Sequence, residues 1–154
     1  MELYLLRHGD ANAYAQSDAL RELSDRGREE VRSTITASKD ALSSLEAVWV
    51  SPYLRAQQTW QEAKVLLPCA PMVTTEPAIT PDGQVSRVIN KLEQSGIARL
   101  LLVTHQPFVG NLLEQLCCFE PGRYFMGTAN IAAVSLPLVA PGLGELQWLH
   151  QPSV

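Results

Sequence analysis

Ionisable side chains follow three apolar runs of the sequence, each of which is predicted to be a buried strand. These ionisable side chains are Arg7-His8, Arg55 and His105. The carboxyl ends of neighbouring parallel strands meet at one edge of an open α/β sheet, where such sheets bind their ligands. Guanidinium groups pair with phosphoryl oxygens, and a neutral imidazole nitrogen can attack phosphorus. The pattern therefore predicts a phosphate-binding site with a candidate nucleophile.

His8 is the strongest candidate for that nucleophile. Gly9 follows it, and glycine tolerates backbone angles that other residues resist, which predicts a sharp turn that exposes the imidazole. Repulsion from nearby arginines lowers the pKa of a histidine, so we expect His8 to be neutral at pH 7. A backbone carbonyl that binds one ring nitrogen would fix the tautomer and aim the other nitrogen.

Arg55 and His105 have weaker individual signals. Arg55 falls in the first turn of a predicted helix, where the positive end of the helix dipole disfavours a cation. An arginine is favourable there if the helix N-terminus and the guanidinium bind the same anion. Taken alone, Arg55 could instead form a surface ion pair, and His105 could be a packed core histidine. The convergence of both with Arg7-His8 favours a common phosphate pocket.

Strands and helices alternate along most of the chain. The predicted strands of this part cover 3–6, 47–50, 72–75 and 98–104. The predicted helices cover 25–42, 53–67, 84–94 and a segment that begins after Pro107. Two further strands, 131–136 and 145–150, follow as an antiparallel addition. This order predicts one domain, residues 1–154, with the three-layer α/β/α sandwich of a mostly parallel sheet and an antiparallel C-terminal edge.

Composition narrows the functional classes. The formal net charge of −4 disfavours a nucleic-acid surface, which needs an excess of lysine and arginine. The apolar start is too short for a signal peptide or a membrane span, so we expect a cytoplasmic protein without membrane contact. The cysteines are Cys69, Cys117 and Cys118, an odd number that makes no disulfide framework and has no zinc-ligand spacing.

These motifs resemble those of the histidine phosphatase superfamily, also called the phosphoglycerate mutase-like family. The resemblance rests on Arg7-His8-Gly9, on Ser51 to Thr59 with Arg55, on Leu101 to His105, and on Leu23 to Gly27. It covers the chain from Met1 to about Leu136. Within the superfamily, the opening Arg7 to Ala11 and the segment Ile79 to Gly83 are most like the small bacterial SixA-type phosphohistidine phosphatases.

The resemblance implies roles for four residues. His8 would be the nucleophile that becomes phosphorylated, and Arg7, Arg55 and His105 would complete the phosphate pocket. It also implies no metal ion and no cofactor, because these cationic groups supply the positive charge for the phosphoryl oxygens.

The sequence departs from the family pattern at the proton donor. Many members carry an acidic residue after the third strand, but 77–81 has none, which leaves Glu76, Asp82 and Asp18 as possible donors. An imidazole leaves more readily than an alkoxide, so a phosphohistidine substrate tolerates a missing acid. The segment 76–83 is too short to form a lid over the pocket. An open pocket favours a phosphorylated histidine phosphotransfer domain or similar phosphoprotein as the partner, and we expect the enzyme to be a monomer.

Two alternatives stay open at this point. The chain could be a small-molecule phosphomonoesterase of the same fold, with one of the three carboxylates as its acid. It could also be a non-catalytic module that binds phosphoproteins, although binding alone does not need a nucleophile such as His8.

Overall fold

A six-stranded sheet forms the centre of the computed structural model, which describes residues 1–154. The strands are β1 (Glu2–Arg7), β2 (Ala47–Val50), β3 (Met72–Thr75), β4 (Arg99–Thr104), β5 (Ile131–Ser135) and β6 (Glu145–His150). Their order across the sheet is β3-β2-β4-β1-β5-β6. The first four of these are parallel, whereas β5 and β6 pair antiparallel with their neighbours. The predicted parallel sheet with an antiparallel C-terminal edge is therefore confirmed.

Helices cover both faces of this sheet. They are α1 (Asp25–Ala37), α2 (Leu54–Lys64), α3 (Val85–Ser95) and α4 (Phe108–Cys117). The apolar side chains of α1 and α2 pack on one face, and those of α3 and α4 pack on the other. The three predicted layers are thus confirmed. None of the four helices has the length and apolar character needed to cross a membrane.

Two helices end earlier than predicted. α1 stops at Ala37 instead of residue 42, and Ser38 turns the chain while its hydroxyl binds Nδ1 of His150 at 3.0 Å. α2 stops at Lys64 instead of residue 67, although Leu67 is still buried. In both cases the apolar spacing continues through a tight turn, and spacing alone does not separate such a turn from another turn of α-helix. The other predicted bounds agree with the structure to within one residue.

The register of β1, β4 and β2 determines which residues meet at the edge of the sheet. Arg7 lies opposite Thr104 in the parallel pair β1–β4, so His8 and His105 leave the sheet side by side. Val50 lies opposite Val103 in the pair β2–β4, which brings Ser51 to the same edge. The predicted functional residues therefore come from three adjacent strand ends.

Candidate active site

The backbone after β1 packs directly against the first turn of α1. A Cβ atom on Gly9 would overlap the carbonyl oxygen of Gly27, and one on Gly27 would overlap that of Asp10. Ser24 caps α1 by accepting from the amide of Gly27 at 3.0 Å. Gly9 does not have a positive φ, so the predicted unusual backbone angle is wrong. Close backbone approach is the reason that a side chain does not fit there.

The His8 ring is buried, and both of its nitrogens are hydrogen-bonded. Nδ1 lies 2.7 Å from the carbonyl oxygen of Gly9, to which it donates. Nε2 accepts from Nε of Arg55 at 3.2 Å, so it carries the lone pair. Burial, more than the charges of Arg55 and Arg7, lowers the pKa of His8 to about 4, although the bond to Gly9 opposes this shift. The ring is therefore neutral at pH 7, with Nε2 as the available nucleophile.

Arg55 lies in the first turn of α2, and all of its guanidinium nitrogens are engaged. Nε donates to His8, while Nη1 and Nη2 donate to the backbone oxygen and the carboxylate Oδ2 of Asp18, at 2.6 and 3.1 Å. The guanidinium carbon lies 5.1 Å from the ring centroid of Tyr53. Asp18 thus binds the outer edge of the same cation that binds the nucleophile.

Arg7 approaches the site from the end of β1. Its Nη1 donates to the carbonyl oxygen of Met126 at 2.8 Å, whereas its buried Nε has no hydrogen-bond partner. Phe125 lies over the guanidinium at 5.2 Å, although 73% of Phe125 is exposed. Arg7 therefore has an unpaired donor at the edge of the sheet, where a buried N–H group normally requires an acceptor.

His105 is fully buried, and its ring centroid lies 5.0 Å from that of His8. Its Nε2 is 2.7 Å from Oγ of Ser51, and its buried Nδ1 has no partner. Burial, with added repulsion from His8 and Arg55, lowers the pKa of His105 to about 2. The ring is therefore neutral and holds one proton.

The structure separates the three candidate proton donors. Of the three, only Asp18 contacts an arginine of the site. Its carboxylate binds Arg55 and also binds Arg21, each at 3.1 Å. Although partial burial opposes the shift, hydrogen bonds from Arg21 and Arg55 lower the pKa of Asp18, which disfavours it as an acid at neutral pH. Glu76 binds Lys91 at 3.0 Å and caps the turn at Ala78, and it has no hydrogen bond to His8 or to either arginine of the site.

Asp82 is the third candidate, and it lies in the exposed turn before α3. Its Oδ1 accepts a hydrogen bond from the hydroxyl of Thr80 at 2.7 Å, and it contacts neither His8 nor either arginine.

Sequence reasoning missed two contributors to the site. In the sequence, Ser51 is only part of a motif, although its position after a predicted strand could indicate a role. Phe125 had no signal at all, because it lies in the irregular segment between α4 and β5.

Taken together, a neutral histidine whose Nε2 bears a lone pair, an arginine at the end of β1 and another in the first turn of α2 define a phosphoryl-transfer enzyme of the α/β/α class. The chain belongs to the histidine phosphatase superfamily, branch 1, whose family model matches residues 3–79. This membership confirms the family expected from the sequence motifs.

Within the superfamily, the chain is similar to phosphohistidine phosphatases. The phosphohistidine phosphatase SixA of Escherichia coli is 36% identical over 99% of this chain and 94% of its own length. The SixA homolog of Haemophilus influenzae is 32% identical over 75% of this chain and 77% of its own length. A structure of the protein histidine phosphatase SixA complexed with tungstate matches with a TM-score of 0.87 and 35% identity, over 99% of this chain and 97% of that one. The predicted similarity to SixA-type phosphatases is confirmed.

Proposed function

We propose that this protein is a phosphohistidine phosphatase that forms a covalent phosphohistidine on His8 and needs no metal ion. One observation carries the proposal: Nε2 of a buried, neutral His8 lies 3.2 Å from Nε of Arg55, a buried cation. The proposed nucleophile thus lies next to a cation that can stabilise the charge of the transferred group. A module that only binds phosphoproteins does not need this arrangement.

In the first step, Nε2 of His8 attacks phosphorus, and the phosphorus–nitrogen bond of the substrate breaks with its electron pair going to the departing imidazole. A substrate phosphohistidine that is protonated on its other ring nitrogen leaves as neutral imidazole, so no enzyme acid is required. Arg7, Arg55 and His105 stabilise the oxygens of the transferred group.

In the second step, water attacks the phosphorus bound to His8. The phosphorus–nitrogen bond breaks, its electron pair returns to Nε2, and both protons of the water leave with inorganic phosphate. The hydrogen bond from Nδ1 to Gly9 keeps the ring protonated throughout, so His8 also departs from phosphorus as a neutral imidazole.

The placement of the carboxylates supports phosphohistidine over an alkyl ester. Glu76 and Asp82 bind elsewhere, and the hydrogen bonds to Asp18 hold it in its ionised form. A small-molecule phosphomonoesterase is the second candidate function, because Asp18 does lie at the site and is 57% exposed.

The expected partner is a phosphorylated histidine phosphotransfer domain or a similar phosphoprotein. The segment between β3 and α3 holds only a short turn (Pro77–Ile79) and no inserted lid, so a protein-borne phosphohistidine can approach. We further propose that residues 1–154 form a single catalytic domain, which acts as a monomer in the cytoplasm.

Phosphate release from a phosphohistidine-bearing phosphotransfer domain tests the proposal, with an alkyl phosphomonoester at equal concentration as comparison. Wild type and His8→Ala are assayed in parallel in the presence of a chelator. We expect rapid release from phosphohistidine by wild type and none by His8→Ala. Preferential hydrolysis of the alkyl ester would support the phosphomonoesterase instead, and binding without release would support a binding module.

A further inference from the structure

Ser51 has no role in the mechanism so far, yet its hydroxyl is the nearest polar contact of His105. It is fully buried at the end of β2. Its Oγ has two polar neighbours: the backbone N–H of Tyr53 at 3.3 Å and Nε2 of His105 at 2.7 Å.

The hydrogen-bonding capacity of these groups determines which atom carries each proton. The amide of Tyr53 is only a donor, so the hydroxyl proton of Ser51 has one available acceptor, Nε2 of His105. If Nε2 carried the ring proton, then the hydroxyl proton of Ser51 would be buried without an acceptor. An unsatisfied buried donor costs about 1–3 kcal/mol.

The remaining ring nitrogen of His105 then carries its single proton. The ring is neutral, its centroid lies 5.0 Å from that of His8, and its Nδ1 is buried without a partner. An unpaired N–H at this place suits an anionic oxygen, whereas an unpaired lone pair would repel one.

We propose that Ser51 is a positioning residue that holds His105 in the Nδ1–H tautomer, so that Nδ1 donates to an oxygen of the transferred phosphoryl group. The inference rests on the proposed function for the identity of that anion. On this inference the two histidines have the same tautomer, with the proton on Nδ1. The acceptor of that proton is a backbone carbonyl for His8 and the phosphoryl group for His105.

The tautomer of His105 is directly measurable by long-range ¹H–¹⁵N correlation spectra of the wild-type protein, with His105→Gln used for assignment. We expect a protonated Nδ1 and an unprotonated Nε2 on His105, and a shift of the Nδ1 signal when inorganic phosphate is added. A protonated Nε2 would overturn the inference. Because this spectrum needs no turnover, it stays decisive even if phosphohistidine is not the substrate.

Variants of Ser51 test its positioning role. Ser51→Ala should produce a mixture of tautomers and lower kcat/KM by about tenfold, the equivalent of one buried hydrogen bond. Ser51→Thr keeps the hydroxyl and should keep the Nδ1–H tautomer. Thr34→Val is the matched control, because it removes a buried hydroxyl that has no partner. An unchanged tautomer in folded Ser51→Ala would refute the role of Ser51.

Discussion

Nε of Arg55 donates a hydrogen bond to Nε2 of His8 at 3.2 Å, so a buried cation binds the atom that we propose attacks phosphorus. This bond orients the imidazole and confirms that Nε2 bears the lone pair, since the donor must meet an acceptor. A phosphoryl group that approaches Nε2 therefore takes over this donor of Arg55. The same guanidinium nitrogen acts first on the nucleophile and then on the anion.

Arg55 is accordingly expected to be essential for turnover. Arg55→Ala should lower kcat/KM on the order of 100-fold or more, the scale seen when one preorganised charge-stabilising donor is removed. Arg55→Lys keeps the charge but loses the planar fork, so it should recover only part of this loss. Unchanged kinetics of Arg55→Ala with a phosphohistidine substrate would refute the pocket assignment.

The carboxylate of Asp18 competes for Arg55 with any phosphate that enters the pocket. Asp18→Asn should therefore strengthen inhibition by inorganic phosphate several-fold, because it removes a negative charge 3.1 Å from Nη2. Product-inhibition constants of both proteins give the answer. If Asp18 were instead the proton donor, the variant would mainly lose activity on an alkyl phosphate, and phosphate inhibition would not strengthen.

Two buried neutral histidines predict a loss of stability in mild acid. Burial lowers the folded-state pKa of His8 to about 4 and that of His105 to about 2, both below the unfolded value of about 6.5. The unfolded chain thus binds more protons, and the free energy of unfolding falls as pH drops below 6.5. Each histidine contributes a slope of about 1.4 kcal/mol per pH unit, until pH falls below its folded pKa.

Urea unfolding between about pH 7 and pH 5 measures that slope. The double variant His8→Asn, His105→Gln removes both titrating groups while keeping an N–H donor near each ring position. Its stability should depend less steeply on pH than that of wild type. Equal slopes in the two proteins would show that these histidines are not buried in neutral form.

The contact between the β1 loop and α1 predicts an unusually sensitive glycine. Gly27→Ala should destabilise the fold on the order of 2–4 kcal/mol, because the added methyl group meets backbone atoms of Asp10 rather than a flexible side chain. Gly96→Ala is the matched control: it has a φ of 66° but open space around it. Its cost should be only the left-handed backbone penalty, about 1–2 kcal/mol. Similar losses in both variants would contradict the close approach.

Much of the site could be predicted because strand ends are visible in sequence. Apolar runs stop at Arg7-His8 and before Arg55 and His105, and a parallel sheet brings such ends together whatever the loops do. The alternation of strands and helices likewise predicted the three layers. These inferences depend on burial and periodicity, which are local properties of the chain.

The details that depend on side-chain contacts could not be predicted. The bond between Asp18 and Arg55 joins the loop before α1 to the first turn of α2, and its geometry depends on how that loop folds back. The sequence context of Gly9 predicts a special backbone angle, whereas the constraint on Gly9 comes from contact with Gly27, 18 residues later. The hydrophobic periodicity of the sequence does not predict contacts of this kind.

The hydrogen bond between Nδ1 of His8 and the carbonyl of Gly9, at 2.7 Å, also bears on reversibility. On the proposed mechanism, the bond formed on His8 is chemically the same as the bond broken in the substrate, and both imidazoles leave as neutral rings. The first step is therefore close to thermoneutral and can run backwards onto an unphosphorylated partner. Only the attack of water is strongly downhill. On the proposed mechanism the enzyme would therefore accept the phosphoryl group as another phosphotransfer protein does, and then pass it to water.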